Sequence, residues 1–477
     1  MPLLSSLLRP LLRYWGRNAA PKSQGTITIP GLSARVRVSW DPYSIPHLYA
    51  ANEHDLFIAQ GYLHAQERLW QMDLTRRFLT GRLAEILGHR PVPAGELSIR
   101  FRDRSSVEMD YFMRLMGVSR SARASVRVLS QAFVERLLAY SEGVNRYLET
   151  HLNSLPLEFR LLRYQPEPWS PEDCLTIGKG FALLLSSALF TRLTWSALVG
   201  KLKGQEVKLA YLAPLPSAGP CVAEGFAEQA SKIMRFVSGI FQKGDWALGG
   251  QGSNNWVLAL GRSSTGKPIL CNDPHLRMTL PPVWYLIHLK AGDAFEVWGG
   301  SIPGCPCVHV GHNRWIAWGC TAALCDDGEL YRERHHPANA DLYLAGDRWK
   351  TVASEEEVIA IRGGSPVTKK IRFTRHGPLI SDFAPLNEGA SDEGLALKWT
   401  AHEPSEEMRC LYGVNCARNW EEFLESLSYQ SAPSLNYLYA DTAGNIGYSL
   451  AGKIPLRAAP PSFLPLPGWD DAFEWKG

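Results

Sequence analysis

Apolar residues recur at helical spacing through the first half of the chain and in short strand-like runs through the second. Between residues 52 and 88, Leu56, Ala59, Leu63, Trp70, Leu74 and Phe78 fall on one face of a long helix. Asn52, with Asp55 three residues on, supplies an N-cap, and Gly88 a stop. A second amphipathic helix is predicted over 130–149, where Phe133, Leu137, Tyr140, Val144 and Leu148 keep register. A stretch punctuated by Pro156, Pro166, Pro168 and Pro171 follows, then a third helix over 172–190. From Pro214 to Gly252 the composition shifts to Gly, Ala, Ser and Pro, with an indistinct helical patch at 233–241. Beyond Ser253 the predicted elements are strands: Trp256–Leu260, Ile269–Cys271, Trp284–Leu289, Glu296–Trp298, His309–Gly311, Trp315–Trp318, Thr368–Phe373 and Leu438–Tyr439. Asp441-Thr442-Ala443-Gly444-Asn445 reads as a hairpin turn closing the last pair. The predicted class is α+β, helix-rich before Ser253 and strand-rich after it, without internal repeats or low-complexity tracts.

Composition adds bounds. With 477 residues, 45 % hydrophobic and 20 % charged, the chain has the texture of a globular protein with a substantial core. A net charge of +3 gives no general affinity for nucleic acid, so none is expected as a partner. Arg9, Arg13, Arg17, Lys22, Arg35 and Arg37 all precede the first acid, Asp41. The first fifteen residues make a poor secretory signal, because Arg9 and Arg13 interrupt the apolar run and Pro10 breaks it. They read as a basic tail, a weak surface anchor or a degraded export signal. No stable membrane span is expected. Nine cysteines show no CxxC spacing, and Cys305-Pro306-Cys307 is too tight for a comfortable disulfide. They read as small buried hydrophobes and do not settle the compartment.

The residues that bear on chemistry are Gly252-Ser253-Asn254-Asn255-Trp256. A glycine-rich approach (Gly249, Gly250, Gly252) leads into a serine, and the apolar run Trp256–Leu260 follows at once. Cleavage between Gly252 and Ser253 would make the serine N-terminal and give it a base of its own. An α-amino group titrates at roughly 7.7–8.0, so it can take the hydroxyl proton without a histidine. On turn chemistry alone, the same residues are a Gly-Ser turn before a strand. No rival signature is present: there is no G-x-S-x-G elbow, H-E-x-x-H pair, Walker loop or dinucleotide fingerprint. His335 and His336 are adjacent, so they project in different directions and make a poor metal pair.

Several blocks surround that serine. Upstream are Asp41-Pro42-Tyr43-Ser44-Ile45-Pro46-His47, Gln60-Gly61-Tyr62-Leu63-His64-Ala65-Gln66-Glu67-Arg68-Leu69-Trp70-Gln71-Met72 and Gly81-Arg82-Leu83-Ala84-Glu85. Downstream are Asn272-Asp273-Pro274-His275, Gly311-His312-Asn313, Ala317-Trp318-Gly319, Tyr439-Ala440-Asp441, Gly444-Asn445-Ile446-Gly447, Leu466-Pro467-Gly468-Trp469 and Glu474-Trp475-Lys476-Gly477. In order and spacing they resemble the penicillin acylase family, large amidases among the N-terminal-nucleophile hydrolases.

The resemblance implies a four-layer αββα sandwich. It divides the chain into a basic tail or degenerate signal (1–25), a helix-rich α-subunit-like region (26–213), a spacer (214–252) and a β-subunit-like region (253–477). It implies self-cleavage at Gly252–Ser253 and a mature heterodimer of two fragments. Ser253 would be nucleophile and α-amino base, the Ala322 backbone N–H an oxyanion donor, and His275 an orienting group, with Asn255 and Asn272 as supporting polar residues. The substrate would be a small linear amide with an apolar acyl group, and Leu276, Trp284 and Pro303 lie in segments that line the acyl pocket. No cofactor is required. Asp326 and Glu329, with Asp327 between, resemble a segment that holds a structural calcium in some members, but Gly328 interrupts the acids, and an acidic cluster on a solvated loop is the favoured reading. An upstream glutamate to complete that site has no counterpart between Leu183 and Leu198. Family members are exported or membrane-associated, which makes the periplasm an expectation by resemblance. The family continues beyond Glu474-Trp475-Lys476-Gly477 with an asparagine that supplies a second oxyanion donor, so the chain reads as C-terminally incomplete. An active amidase in a longer form, a non-catalytic remnant or binding module, and an uncut hydrolase using His275 as base all stay open.

Overall fold

The computed structural model of the chain describes Gly16, Pro21 and residues 23–90, 105–186, 188–201, 226–241, 252–276, 278–383, 393–459 and 462–477. It is a mixed α/β fold with several sheets. The N-terminal segment 1–15 and most of the expected spacer lie outside the described residues.

Helix α1 (Glu53–Thr80) begins where its cap requires, with the Asn52 side chain accepting from the Asp55 N–H at 2.8 Å. It ends at Gly81 rather than at Gly88: Gly81 adopts a left-handed φ of 66°, and its N–H turns back onto the Arg77 and Phe78 carbonyls. The expected continuation is a separate four-residue turn at Ala84–Leu87. Next come α2 (Ser106–Met116), α3 (Val118–Val126) and α4 (Gln131–His151). Helices α1 and α4 pack backbone to backbone. A Cβ at Gly61 would run into Tyr140, and one at Gly143 into Ile58.

The predicted helix over 172–190 is two elements, α5 (Pro171–Leu185) and α6 (Ala188–Lys201), because Ser186 leaves the helical region at ψ 136°. The run Pro171–Leu198 is apolar and long enough by composition to cross a membrane, yet 59 % of its apolar 18-residue window is buried within the protein. Within the expected spacer, α7 (Phe226–Phe241) is helical over more residues than the patch predicts, and its Ala230 and Ile233 are fully buried in the main core. Two further helices, α8 (Glu407–Cys416) and α9 (Trp420–Leu427), fall in the strand-rich half.

The principal sheet has eight strands in the order β1-β2-β5-β6-β7-β8-β16-β17. These are Arg37–Trp40, Pro46–Ala50, Tyr285–Ala291, Phe295–Ser301, Val310–Asn313, Ile316–Ala322, Leu435–Asp441 and Ile446–Ala451. Its first two strands come from the N-terminal half, where the apolar pattern shows none. β2 joins β5 in parallel, His47 opposite His288, and so stitches the two halves together. The β16–β17 hairpin turns at Asp441–Asn445 as predicted, with the Asp441 N–H on the Asn445 carbonyl and Gly444 at φ 100°. One face of this sheet packs on α1, α8 and α9 through Leu56, Leu63, Ile287, Val297, Trp318 and Phe423. A two-stranded ladder, β3 (Ser253–Leu258) with β4 (Ile269–Pro274), lies against β8 and β16. The second large sheet has β9 (Gly328–His336) at its centre, between β10 (Asn339–Ala345) and β15 (Glu393–Trp399).

Candidate active site

Ser253 opens β3 and pairs with Pro274 of β4. That register sets the preceding residue as well: the His275 backbone N–H donates to the Gly252 carbonyl at 2.9 Å. The carbonyl of the Gly252–Ser253 bond therefore already has a donor aimed at its oxygen. The His275 imidazole points elsewhere, with Nε2 2.8 Å from Asp273 Oδ2 in a partly exposed pair. His275 thus meets the Gly252–Ser253 bond through its backbone.

Ala322 ends β8, and strand parity sets the direction of its N–H. The Ala323 N–H donates to Ser434, so Ala323 and Ser434 form a hydrogen-bonded pair with β16. Ala322 is then opposite Leu435 in a non-bonded pair, and its N–H turns away from β16. Cys320, two residues earlier, has the same parity, and its N–H is received by Asn272 Oδ1 of β4 at 3.1 Å. The Asn272 amide donates in return to the Cys320 carbonyl at 3.0 Å. The side chain of Asn272 thus behaves as a piece of strand that fixes β8 to β4, on the side of β8 away from β16. Asn255 makes a long contact to the Asn436 carbonyl at 3.5 Å.

Ser253 and Ala322 line one cavity of about 100 Å³. Its walls are largely apolar: Phe181 and Leu185 from α5, Leu276, Met408, Leu411 and Tyr437. Trp284 and His309 complete it, and burial pushes the His309 imidazole down to about 3, so the ring is neutral. Cys320 is the nearby thiol, and burial pushes it up to about 12, which leaves Ser253 without a competing thiolate. Of the expected pocket residues, Leu276 and Trp284 are here, while Pro303 lines a neighbouring cavity of about 190 Å³ that shares the Phe181 wall. Phe181, His309 and Tyr437 were not anticipated; each comes from a different stretch of chain, and no local pattern marks them.

Asp326 and Glu329 sit away from this cavity in a buried ion cluster. Arg192 grips both Asp326 oxygens, at 2.5 and 2.9 Å, and Glu329 Oε1 at 2.7 Å. Arg457 and the Trp475 indole take Glu329 Oε2 at 2.9 and 3.1 Å. Asp327 is held by Ser186 and Trp399. With two guanidinium groups already neutralising these carboxylates, the donor set does not suit a divalent cation. Among the described residues, no group of three or more His, Cys, Asp or Glu side chains is arranged to hold a metal.

Comparison with known proteins adds a family. A model described as penicillin amidase matches residues 35–477. The chain is 33 % identical over 469 residues to penicillin acylase 2 proenzyme of Pseudomonas sp. (strain SE83), covering 96 % of this chain and 58 % of that protein. It is 30 % identical over 495 residues to acyl-homoserine lactone acylase QuiP of Pseudomonas aeruginosa, covering 96 % of this chain and 54 % of that protein. The chain therefore spans somewhat over half the length of these curated relatives. A solved penicillin G acylase from Alcaligenes faecalis is 32 % identical and covers 47 % of this chain and 39 % of its own, at a TM-score of 0.42.

Proposed function

This chain belongs to the penicillin amidase family, and from that premise we propose that it is an amidohydrolase whose nucleophile, Ser253, is released by cleavage at Gly252–Ser253. The observation that carries the reading is the convergence at Ser253 of three things. They are a carbonyl held by a backbone donor, the end of β8 at Ala322, whose N–H parity turns away from β16, and an apolar cavity lined by both residues.

Cleavage begins with Ser253 Oγ attacking the Gly252 carbonyl carbon. Charge develops on the Gly252 oxygen, where the His275 N–H waits at 2.9 Å. An oxyanion donor of this kind is worth roughly 3–4 kcal/mol in serine hydrolases. The Ser253 hydroxyl proton passes to the peptide nitrogen, the C–N bond breaks to leave that nitrogen as the new amine of Ser253, and water hydrolyses the ester, releasing the Gly252 carboxylate and restoring the hydroxyl. In turnover, that amine accepts the Ser253 hydroxyl proton, Oγ attacks a linear amide, and the Ala322 N–H receives the new oxyanion. The leaving amine departs protonated, and water releases the acyl group from Oγ. His275 acts here as a backbone donor in processing. The mature form would be two fragments held by the shared core, in the four-layer αββα arrangement of this enzyme class.

The substrate class follows from the cavity: a carboxamide whose acyl group is apolar and compact enough for about 100 Å³. The curated relatives named above are by name a penicillin acylase and an acyl-homoserine lactone acylase, which agrees with amide hydrolysis in general. Intact mass and N-terminal sequencing test the proposal. A fragment beginning Ser253-Asn254-Asn255, absent from Ser253→Ala, is expected, together with hydrolysis of a chromogenic anilide. An uncut chain that hydrolyses the anilide, or a cut elsewhere, would refute it.

A further inference from the structure

Strand parity places a side chain as well as a backbone donor at the end of β8. Ile316 and Trp318 face the helices, so Ala317, Gly319 and Thr321 face the other way. That second face carries the β3–β4 ladder, since a Cβ at Gly319 would run into Asn272 of β4. Asn436, opposite Thr321 on β16, stands on the same face. From β3, the Asn255 side chain reaches across to the Asn436 carbonyl at 3.5 Å. Ser253, two residues earlier, turns its side chain to the same side of its strand. The side chains of Ser253 and Thr321 therefore both lie between the ladder and the principal sheet, and both residues line the cavity of about 100 Å³.

The Thr321 hydroxyl is held in one sense. The Ala322 carbonyl can only accept, so the Asn436 atom 3.4 Å from it is the amide nitrogen. The same nitrogen donates to Thr321 Oγ1 at 3.3 Å. Asn436 Oδ1, at the other end of the amide, accepts from the Tyr448 hydroxyl of β17 at 2.9 Å. A hydroxyl has a single proton to give. With Asn436 donating into Oγ1, that proton is directed away from Asn436 and is left for an acceptor in the cavity. Thr321 Oγ1 and the Ala322 nitrogen are joined through only Cβ, Cα and the carbonyl carbon, so one oxygen atom can accept from both.

Resting on the amidase reading above, we propose that Thr321 is a further catalytic residue, its hydroxyl donating to the substrate oxygen that becomes the oxyanion, beside the Ala322 N–H. Ser253 Oγ bonds to the carbonyl carbon, the π pair moves onto the oxygen, and Thr321 keeps its proton while its hydrogen bond to the new charge strengthens. When the tetrahedral intermediate collapses, the pair returns to the carbonyl and the hydroxyl is unchanged. Asn436 and Tyr448 are positioning residues, which act by holding Thr321 Oγ1 and its proton in this sense.

The test uses matured protein, hexanoyl 4-nitroanilide as substrate, and pentylboronic acid, whose boron takes up Ser253 Oγ to give a tetrahedral anion. Thr321→Val keeps the shape and removes the donor. It is expected to lower kcat by roughly 10–100-fold, with KM changed by less than about threefold. The Ki of the boronic acid should rise by about the factor by which kcat/KM falls, and Thr321→Ser should stay within about threefold of the wild type in both. Tyr448→Phe removes the group that holds Asn436 Oδ1, and should lower kcat/KM and weaken the boronic acid together by about three- to tenfold. Should Thr321→Val fail to mature, the Tyr448→Phe readout decides alone. Wild-type kcat in Thr321→Val, a loss that Thr321→Ser shares in full, or a Ki that does not follow kcat/KM would overturn the role of Thr321 and leave the amidase reading standing. A wild type that stays uncut and hydrolyses no anilide would overturn the amidase reading, and the role of Thr321 with it.

Discussion

Asn272→Ala removes the side chain that ties β8 to β4, and its consequence for turnover follows from geometry. The Asn272 amide accepts from the Cys320 N–H at 3.1 Å and donates to the Cys320 carbonyl at 3.0 Å. Losing both leaves two half-buried backbone groups without these partners, a destabilisation of about 1–3 kcal/mol in total. The larger effect falls on catalysis. Ala322 is two residues further along β8, and its N–H direction depends on where β8 sits relative to Ser253. Removing an oxyanion donor outright lowers kcat by about 10²–10³-fold, and displacing one by an ångström costs of order 10²-fold. Asn272→Ala is therefore expected to lower kcat by about 10–100-fold with KM changed by less than about threefold.

Gly319→Ala reaches the same end from the other strand. Its Cβ would stand 2.7 Å from Asn272 Cβ and 2.9 Å from Cγ, well inside the roughly 3.5–4.0 Å at which carbon atoms rest. Asn272 is pinned by its two hydrogen bonds, so the strands must part. The assay is steady-state hydrolysis of a chromogenic anilide by matured protein, with the cut fraction measured by mass and stability by thermal denaturation. Leu137→Val, in the α1–α4 core, serves as control. It should destabilise by about 1 kcal/mol and leave kcat alone. If Asn272→Ala and Gly319→Ala behave like this control, with stability lost and kcat kept, then Ala322 is not the donor that β8 positions.

Four further outcomes are expected. Phe181→Ala removes a wall residue shared by the cavity beside Ser253 and its larger neighbour. The ratio of kcat/KM for a dodecanoyl over a hexanoyl anilide should rise about tenfold or more, checked by kinetics across chain lengths. EDTA should leave the thermal midpoint of the wild type unchanged, because Arg192 and Arg457 already neutralise Asp326 and Glu329. Arg192→Leu strands the buried Glu329 and should destabilise by about 3–5 kcal/mol, measured by denaturant titration. Burial alone would raise the Glu474 carboxyl, but the His376 hydrogen bond and the charges of His376, Lys398 and Arg375 outweigh it and hold it at about 2. Its stabilisation is complete above the unfolded value of 4.5 and is lost as pH falls from there toward 2, so Glu474→Gln should flatten that part of an acid-denaturation curve.

What was legible in the chain is what local chemistry writes there. The Asn52 cap, the register of Phe133 to Leu148, the Asp441–Asn445 turn and the serine at the head of a strand all depend on neighbours a few residues away. Strands whose polar residues are satisfied at long range were not legible. β12 (Ala353–Ile359) carries three consecutive glutamates and looks like a loop, yet Glu356 and Glu357 stand opposite Lys370 and Lys369 of β13 (Val367–Thr374). β9 hides for a related reason. Glu329 and Glu333 are fully buried, and their partners, Arg192, Arg457 and His376, are distant in sequence, so the period-2 signal vanishes. The cavity was half legible. Leu276 and Trp284 follow from the family pattern, whereas Phe181 and His309 become wall residues only when α5 folds across the sheet.

The serine alone therefore says little, since a Gly-Ser turn before a strand is ordinary; register makes it a site. Slipping β8 by one residue against β16 would turn the Ala322 N–H into the ladder and aim the Thr321 or Ala323 amide at the cavity with its side chain on the wrong face. Slipping β3 against β4 would take the Gly252 carbonyl off the His275 N–H. Both registers are pinned away from Ser253. The Ala323–Ser434 bond at one end and the Thr442 N–H on the Trp315 carbonyl at the other fix β8 and β16, and the clasp of Asn272 on Cys320 fixes the two ladders to each other. Residues that never touch a substrate thus set the direction of both backbone donors. Substitutions in β4, β8 and β16 should accordingly separate into two groups by parity along the strand: those that turn or shift the Ala322 N–H lower kcat, and those on the alternate face change stability alone.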